Sequence, residues 1–290
     1  MDDDGSNTAN NQIQTTGLKR DALDKFYTAE NIMWKCIELV SNNIVIDKIN
    51  DLCIEPSAGN GSFIPGIRTL VDNCLFYDTN PEHDDVQEQN YILFDSKRIT
   101  NQFNKIHVIG NPPFGRQSSL AIQFIKKSVE FCDTISFILP KSFRKDSLQK
   151  HFPATFHLKD EFVLPKDSFC VDNKPHDVPC VFQIWEKNEE CDRFIAPKLV
   201  PDKYVFVKKH EEYDVCFKRV GFYAGKFERD GCDNSEQSHY FIKFEIPVTA
   251  LHFENIQKIN FECKNNTVGP RSISKQELIK ELNQYQRILQ

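Results

Sequence analysis

Six short apolar runs, "DLCIE", "CLFYD", "YILFD", "HVIG", "ISFILP" and "VPCVFQIWE", recur between residues 51 and 186 with polar or helical stretches between them. Several are apolar at nearly every position, a pattern a strand tolerates when both its faces are covered. Strands of that kind, separated by crossover segments, specify an α/β chain with a mostly parallel central sheet. Upstream, "LKRDALDKFYTAENIMWKCIELVSNN" has a helical period that puts Ile32, Cys36, Leu39 and Val40 on one face, with Thr28 placed to cap the helix. Past "WEKNEECDRF" the texture changes to charged, aromatic strands such as "KYVFVKK" and "YDVCFKRVGFYAGKF", then to the helical "SKQELIKELNQYQRIL". These shifts divide the chain into a polar tail expected to be disordered (1–17), an α/β domain (18–188) and a small C-terminal α+β extension (189–290).

Composition removes several classes. A chain of 290 residues with 40% hydrophobic content can bury a substantial core. Its ten cysteines form no Cys-x-x-Cys pair, which suits reduced thiols in a cytoplasmic or nuclear protein. No run approaches the roughly 18 apolar residues of a membrane span, and "MDDDGSNTANNQIQTTG" lacks the basic and apolar regions of a signal peptide, so no membrane association is expected. No histidine or cysteine spacing fits a metal site, and none is expected. The net charge of −6 argues against a strongly nonspecific polyanion binder but leaves room for a local basic face. Residues 203–229 offer one, with basic side chains interleaved with Tyr204, Phe206, Tyr213, Phe217, Phe222 and Tyr223; an exposed strand of alternating charge accounts for the same pattern.

In an open α/β sheet, ligands bind beyond the carboxyl ends of the strands. The first run ends in "EPSAGNGSF": Glu55, Pro56 and Ser57, then Gly59 and Gly61 around a tight turn into a helix. At the next strand end Asp78 follows Gly61 by 17 residues, near the spacing of about 20 at which a carboxylate meets the ribose of a nucleotide-type ligand, and Asp95 closes the third run. No Walker Gly-Lys-Ser/Thr or basic cluster accompanies these glycines, so the bed suits an adenosine without a polyphosphate. After "KIHVIG" comes "NPPFG", where two consecutive prolines remove two N–H donors and fix φ twice, forcing a rigid loop.

"DKFYT", "EPSAGNGSF", "YDTNP", "LFDS" and "NPPF", in that order across residues 19–187, resemble the motif series of S-adenosylmethionine-dependent adenine amino-methyltransferases, with the donor motif ahead of the catalytic loop. The resemblance implies a Rossmann-like methyltransferase fold and S-adenosyl-L-methionine as cofactor. It implies that Tyr27 and Thr28 line the methionine end of the donor, Glu55, Pro56, Ser57, Gly59 and Gly61 surround its charged part, Asp78 meets the ribose and Asp95 the adenine ring, with Phe94 or Phe114 in the apolar surround. Asn111, Pro112, Pro113 and Phe114 would then form the catalytic loop. The Asn111 side-chain oxygen and the Pro112 carbonyl would accept hydrogen bonds from the target amine, and Phe114 would stack on an extruded base. Phe169 is the counterpart expected on the other side of the base, with a place in the core as the alternative. Lys141 and Arg144, after "ISFILP", are candidates to touch phosphates, with a solvated surface charge as the alternative for each.

The expected activity is transfer of a methyl group to the exocyclic N6 amine of adenine in DNA, with RNA as the alternative polymer. Ribosomal RNA guanine-N2 and protein glutamine remain alternative acceptors on the same fold, and a non-catalytic nucleic-acid-binding subunit is the alternative from another class. The C-terminal region is short for a full target-recognition domain, so a protein partner supplying recognition is compatible with the chain.

Overall fold

The computed structural model describes residues 26–99, 101–171, 174–230 and 235–288. The tail at 1–17 and the start of the upstream helical pattern lie outside them. In chain order the elements are β1 (Tyr27–Thr28), α1 (Glu30–Asn43), β2 (Leu52–Glu55), α2 (Ile64–Leu70), β3 (Asn73–Asp78), β4 (Gln87–Glu88), β5 (Ile106–Gly110), α3 (Ser119–Ser128), β6 (Thr134–Pro140), α4 (Asp146–Gln149), β7 (Phe156–Val163), β8 (Phe169–Val171), β9 (Lys174–His176) and β10 (Cys180–Lys187), followed by β11 (Tyr204–Val207), β12 (Val215–Lys218), β13 (Phe227–Glu228), β14 (His239–Phe244), α5 (Ala250–Ile256) and α6 (Lys275–Ile288).

The central sheet has seven strands in the order β4-β3-β2-β5-β6-β10-β7. The pairs β3–β4, β2–β3, β2–β5 and β5–β6 are parallel, while β10 runs antiparallel between β6 and β7. This is the mostly parallel α/β sheet that the apolar runs imply. β2, β5 and β6 are buried along their whole length, which is why their sequences are apolar without alternation. On one face α1 and α2 pack through Ile32, Met33, Cys36, Ile37, Ile64 and Ile67. On the other, α3 contributes Ala121, Phe124 and Ile125 beside Tyr91 and Phe94. Chain order reverses at β2: β3 lies on one side and β5 on the other, so the crevice beyond Glu55 and Gly110 is the topological switch point.

Two local expectations fail. "YILFD" is not a strand; Tyr91–Leu93 and Ser96–Arg98 are short 3₁₀ turns. The side chains of Asn90 and Asp95 accept from the N–H groups of Ile92 and Lys97, capping those turns, while Tyr91 and Phe94 point into the core and Leu93 into solvent. Thr28 does not cap α1. It pairs with Phe169 in the three-stranded sheet β1-β8-β9, and Ala29 occupies the cap position.

After β10 the chain forms a four-stranded antiparallel sheet, β11-β14-β12-β13. Tyr204, Phe217, Phe227 and Ile242 pack there with Leu278 and Leu282 of α6 in a separate core. Lys145, just past the carboxyl end of β6, ties this part to the central sheet: its Nζ donates to the Ser272 carbonyl at 2.8 Å and pairs with Glu277 at 3.2 Å. Among the described residues no helix is long and apolar enough to cross a membrane, and no group of histidine, cysteine or carboxylate side chains could hold a metal ion.

Candidate functional site

A cavity of about 760 Å³ opens at the switch point. Its walls come from β1, the loop after β2, the end of β3, the turns at 89–93 and the "NPPFG" loop with the start of α3. Tyr27, Thr28, Glu55, Pro56, Ser57, Gly59, Asp78, Asn111 and Pro113 all line it. Segments scattered between Phe26 and Phe124 therefore converge on one space because parallel strands end on one edge of the sheet.

The loop after β2 is shaped by its glycines and braced by Asp78. Gly59 and Gly61 have φ of +50° and +80°, a region L side chains avoid. A Cβ on Gly61 would also lie 2.8 Å from His83 Cδ2 and 2.9 Å from Ile64 Cδ1. Gly61 lies outside the cavity wall, so it makes the turn while Gly59 presents backbone to the cavity. Asp78 accepts from the Gly59 N–H through Oδ2 and from the Asn80 N–H through Oδ1, both at 2.9 Å. Across the mouth, the Tyr27 hydroxyl donates to Glu82 at 2.6 Å.

Glu55 is 2% exposed, and among the described residues its Oε2 has no hydrogen-bond partner. Burial, reinforced by the negative charge of Asp78, raises its pKa well above the ordinary carboxylate range. A buried carboxylate without a partner is costly, so this wall of the cavity fits a cationic group.

Asn111 is held on its other side. Its Nδ2 donates to the Phe26 carbonyl at 2.8 Å and approaches Thr28 Oγ1 at 3.3 Å, and its own carbonyl accepts from Ser57 Oγ at 3.2 Å. A carbonyl can only accept, so the Phe26 bond fixes which end of the amide is nitrogen. Oδ1 is left without a donor among the described residues.

Other expected site residues sit elsewhere. Asp95 is outside the wall, capping a turn and 3.8 Å from Arg98; Gln89, Asn90, Ile92 and Leu93 occupy the rim instead. Phe94 is buried against Tyr77 and Tyr91. Phe169 is fully buried in β8, beneath Phe26 at 6.1 Å between ring centroids, and does not line the cavity. Pro112 and Phe114 lie behind the wall, with the Phe114 ring stacked on Phe26 at 6.3 Å. Lys141 is absent from the wall, its N–H bonded to the Pro179 carbonyl, and Arg144 is paired with Glu161 at 2.7 Å. Phe26 was not foreseen: it lines the cavity, stacks on Phe114 and on His176, and supplies the carbonyl that holds Asn111.

Fold and site together define a Rossmann-like α/β protein whose ligand crevice carries buried acid, an oriented amide and no phosphate-binding loop. No family model matches the sequence, and a search of curated proteins finds no match. Solved structures with a similar chain path include a protein provisionally assigned as an RNA methyltransferase from Pyrococcus horikoshii, 15% identical over 57% of this chain and 88% of that one, with a TM-score of 0.45. The methyltransferase subunit of a type I restriction-modification system from Streptococcus thermophilus is 14% identical over 57% of this chain and 45% of that one, with a TM-score of 0.42. An rRNA methylase from Streptococcus thermophilus is 12% identical over 55% of this chain and 95% of that one, with a TM-score of 0.36.

Proposed function

We propose that this chain is an S-adenosyl-L-methionine-dependent methyltransferase acting on the exocyclic N6 amine of adenine in nucleic acid, with DNA as the favoured polymer. The observation that carries the reading is the orientation of Asn111, a cavity-lining residue whose side-chain nitrogen is tied to Phe26 and whose oxygen accepts from no described residue, in the same lining as the buried Glu55 with its partnerless Oε2.

The residues present fit the donor. Glu55 would face its positive charge, Asp78 its ribose, and Tyr27, Thr28, Pro56, Ser57 and Gly59 would line the remainder. When bound, S-adenosyl-L-methionine supplies an electrophilic methyl group on a sulfonium. The chain's own task is to prepare the acceptor. An exocyclic amine on an aromatic base is a poor nucleophile because its lone pair is delocalised into the ring. Asn111 Oδ1, on a residue that lines the cavity, accepts an N–H of that amine, favouring the tetrahedral nitrogen over the planar one. Two prolines and the Phe26 bond keep this acceptor in place, so no reorganisation is needed during reaction. Phe26, which lines the cavity and is backed by Phe114, offers the flat wall for the extruded base.

The test is incubation with isotopically labelled donor and separate DNA and RNA pools, followed by nucleoside mass spectrometry. Label in N6-methyladenine supports the reading. Label in guanine-N2, or in glutamine when a peptide pool is supplied, contradicts it.

A further inference from the structure

The turn between β12 and β13 exposes two large aromatic side chains on a tightly built frame. Phe222 is 76% exposed and Tyr223 56%, their rings 5.0 Å apart and perpendicular. The turn is not loose: the Gly225 N–H donates to the Lys218 carbonyl at 2.8 Å, the Ala224 N–H to the Gly221 carbonyl at 3.0 Å, and Ala224 is buried. Residues 269–273 lie alongside, with Gly221 N–H donating to the Arg271 carbonyl at 2.9 Å and Val220 bridged to Ser272. Scattered exposed hydrophobics are ordinary, but two adjacent rings displayed by a braced turn are not explained by packing.

Charge surrounds the rings. Arg271 lies 5.5 Å over Phe222, and Lys226 lies 4.7 Å over Tyr223. Segments 218–226 and 269–273 carry Lys218, Arg219, Lys226 and Arg271 and no carboxylate, in a chain whose net charge is −6. Arg219 is spent internally, over Tyr240 and on the Gln237 carbonyl. The other aromatics of the basic stretch are less accessible: Tyr204 and Phe217 are core residues, and Phe206 and Tyr213 are half-buried against Tyr240 and Phe241. The turn is also linked to the sheet edge that carries the site. Ser272, bridged to Val220, accepts from Lys145, which follows the carboxyl end of β6, the sheet edge that carries Glu55 and Asn111.

Exposed π faces flanked by cations match a strand of unpaired bases and phosphates, since base stacking tolerates any sequence and cations neutralise the backbone. Resting on the proposed nucleic-acid activity, we infer that Phe222 and Tyr223, with Lys226 and Arg271, form a docking surface for an unpaired nucleic-acid strand beside the target base. A duplex, whose bases are already stacked, offers it phosphates alone.

The experiment is fluorescence anisotropy with labelled mixed-sequence oligonucleotides of about 16 nucleotides, as single-stranded DNA, single-stranded RNA and blunt duplex, across a salt series. Wild type is expected to favour a single strand. The pair Phe222→Ala and Tyr223→Ala should lose about tenfold or more of single-strand affinity, and the pair Lys226→Gln and Arg271→Gln should reduce the logarithmic salt slope by about 1.4, from roughly 0.7 per phosphate. All four side chains lie outside the cavity, so donor affinity by calorimetry should not change. Wild-type affinity and slope in both variants would overturn the surface alone. Dimerisation lost in the aromatic variant with strand affinity intact would assign the rings to a second copy and overturn it too. Wild type that binds donor but no nucleic acid would instead overturn the proposed activity.

Discussion

The side-chain nitrogen of Asn111 donates to the backbone carbonyl of Phe26 at 2.8 Å, joining residues 85 positions apart. The bond decides the direction of the amide, and so whether the cavity meets a donor or an acceptor. An acceptor is what a target amine needs. On the proposed function, the segment carrying Phe26 and Thr28, itself anchored by pairing with β8, would belong to the catalytic geometry as well as to the donor site.

Phe169→Ala should act on stability. The side chain is fully buried against Phe26, and removing a ring of that size from a core costs about 3–5 kcal/mol. Phe169→Leu should recover most of it. Chemical denaturation checks both; a Phe169→Ala protein of unchanged stability but weakened substrate affinity would return the residue to the substrate surface.

Asp78→Ala should lower donor affinity by roughly 1–3 kcal/mol and also destabilise the fold, since two backbone N–H groups lose a charged acceptor. Calorimetry on the folded variant separates the two effects. Unchanged donor affinity removes Asp78 from the ribose.

Glu55 makes ligand-free stability depend on pH. Burial raises its pKa above the ordinary 4.5, so the native chain keeps a proton that the unfolded chain has released. Its contribution is fully present below about pH 4.5 and declines as pH rises through the raised native value. Glu55→Gln should flatten that decline and raise the melting temperature at neutral pH, while weakening the cationic donor. Melting curves across pH test it; identical pH profiles for both proteins would show that Glu55 does not titrate as described.

Much of this arrangement could be read before the coordinates. "DLCIE", "HVIG", "ISFILP" and "VPCVFQIWE" are strands because continuous apolarity over so few residues needs cover on both faces, and the strand ends then mark Glu55, Asp78 and Asn111. "YILFD" misled because an apolar run of that length also suits a turn that buries Tyr91 and Phe94 and exposes Leu93. Phe26 escaped notice because its contact with Asn111 runs through a backbone carbonyl, which has no side-chain signature. Phe169 could be placed only by packing, since nothing local says whether an aromatic before a polar loop faces ligand or core. The aromatics of residues 203–229 divided likewise, with Tyr204 and Phe217 turned inward and Phe222 and Tyr223 outward.

The central claim is that Asn111 stabilises the acceptor nitrogen as it becomes tetrahedral. Single-turnover methylation by Asn111→Ala, with donor affinity measured on the same protein, tests it most directly. The rate should fall by roughly 10²–10³ while donor affinity changes little. A near-wild-type rate, or a loss accounted for by weaker donor binding, would contradict it and leave "NPPF" as a structural turn.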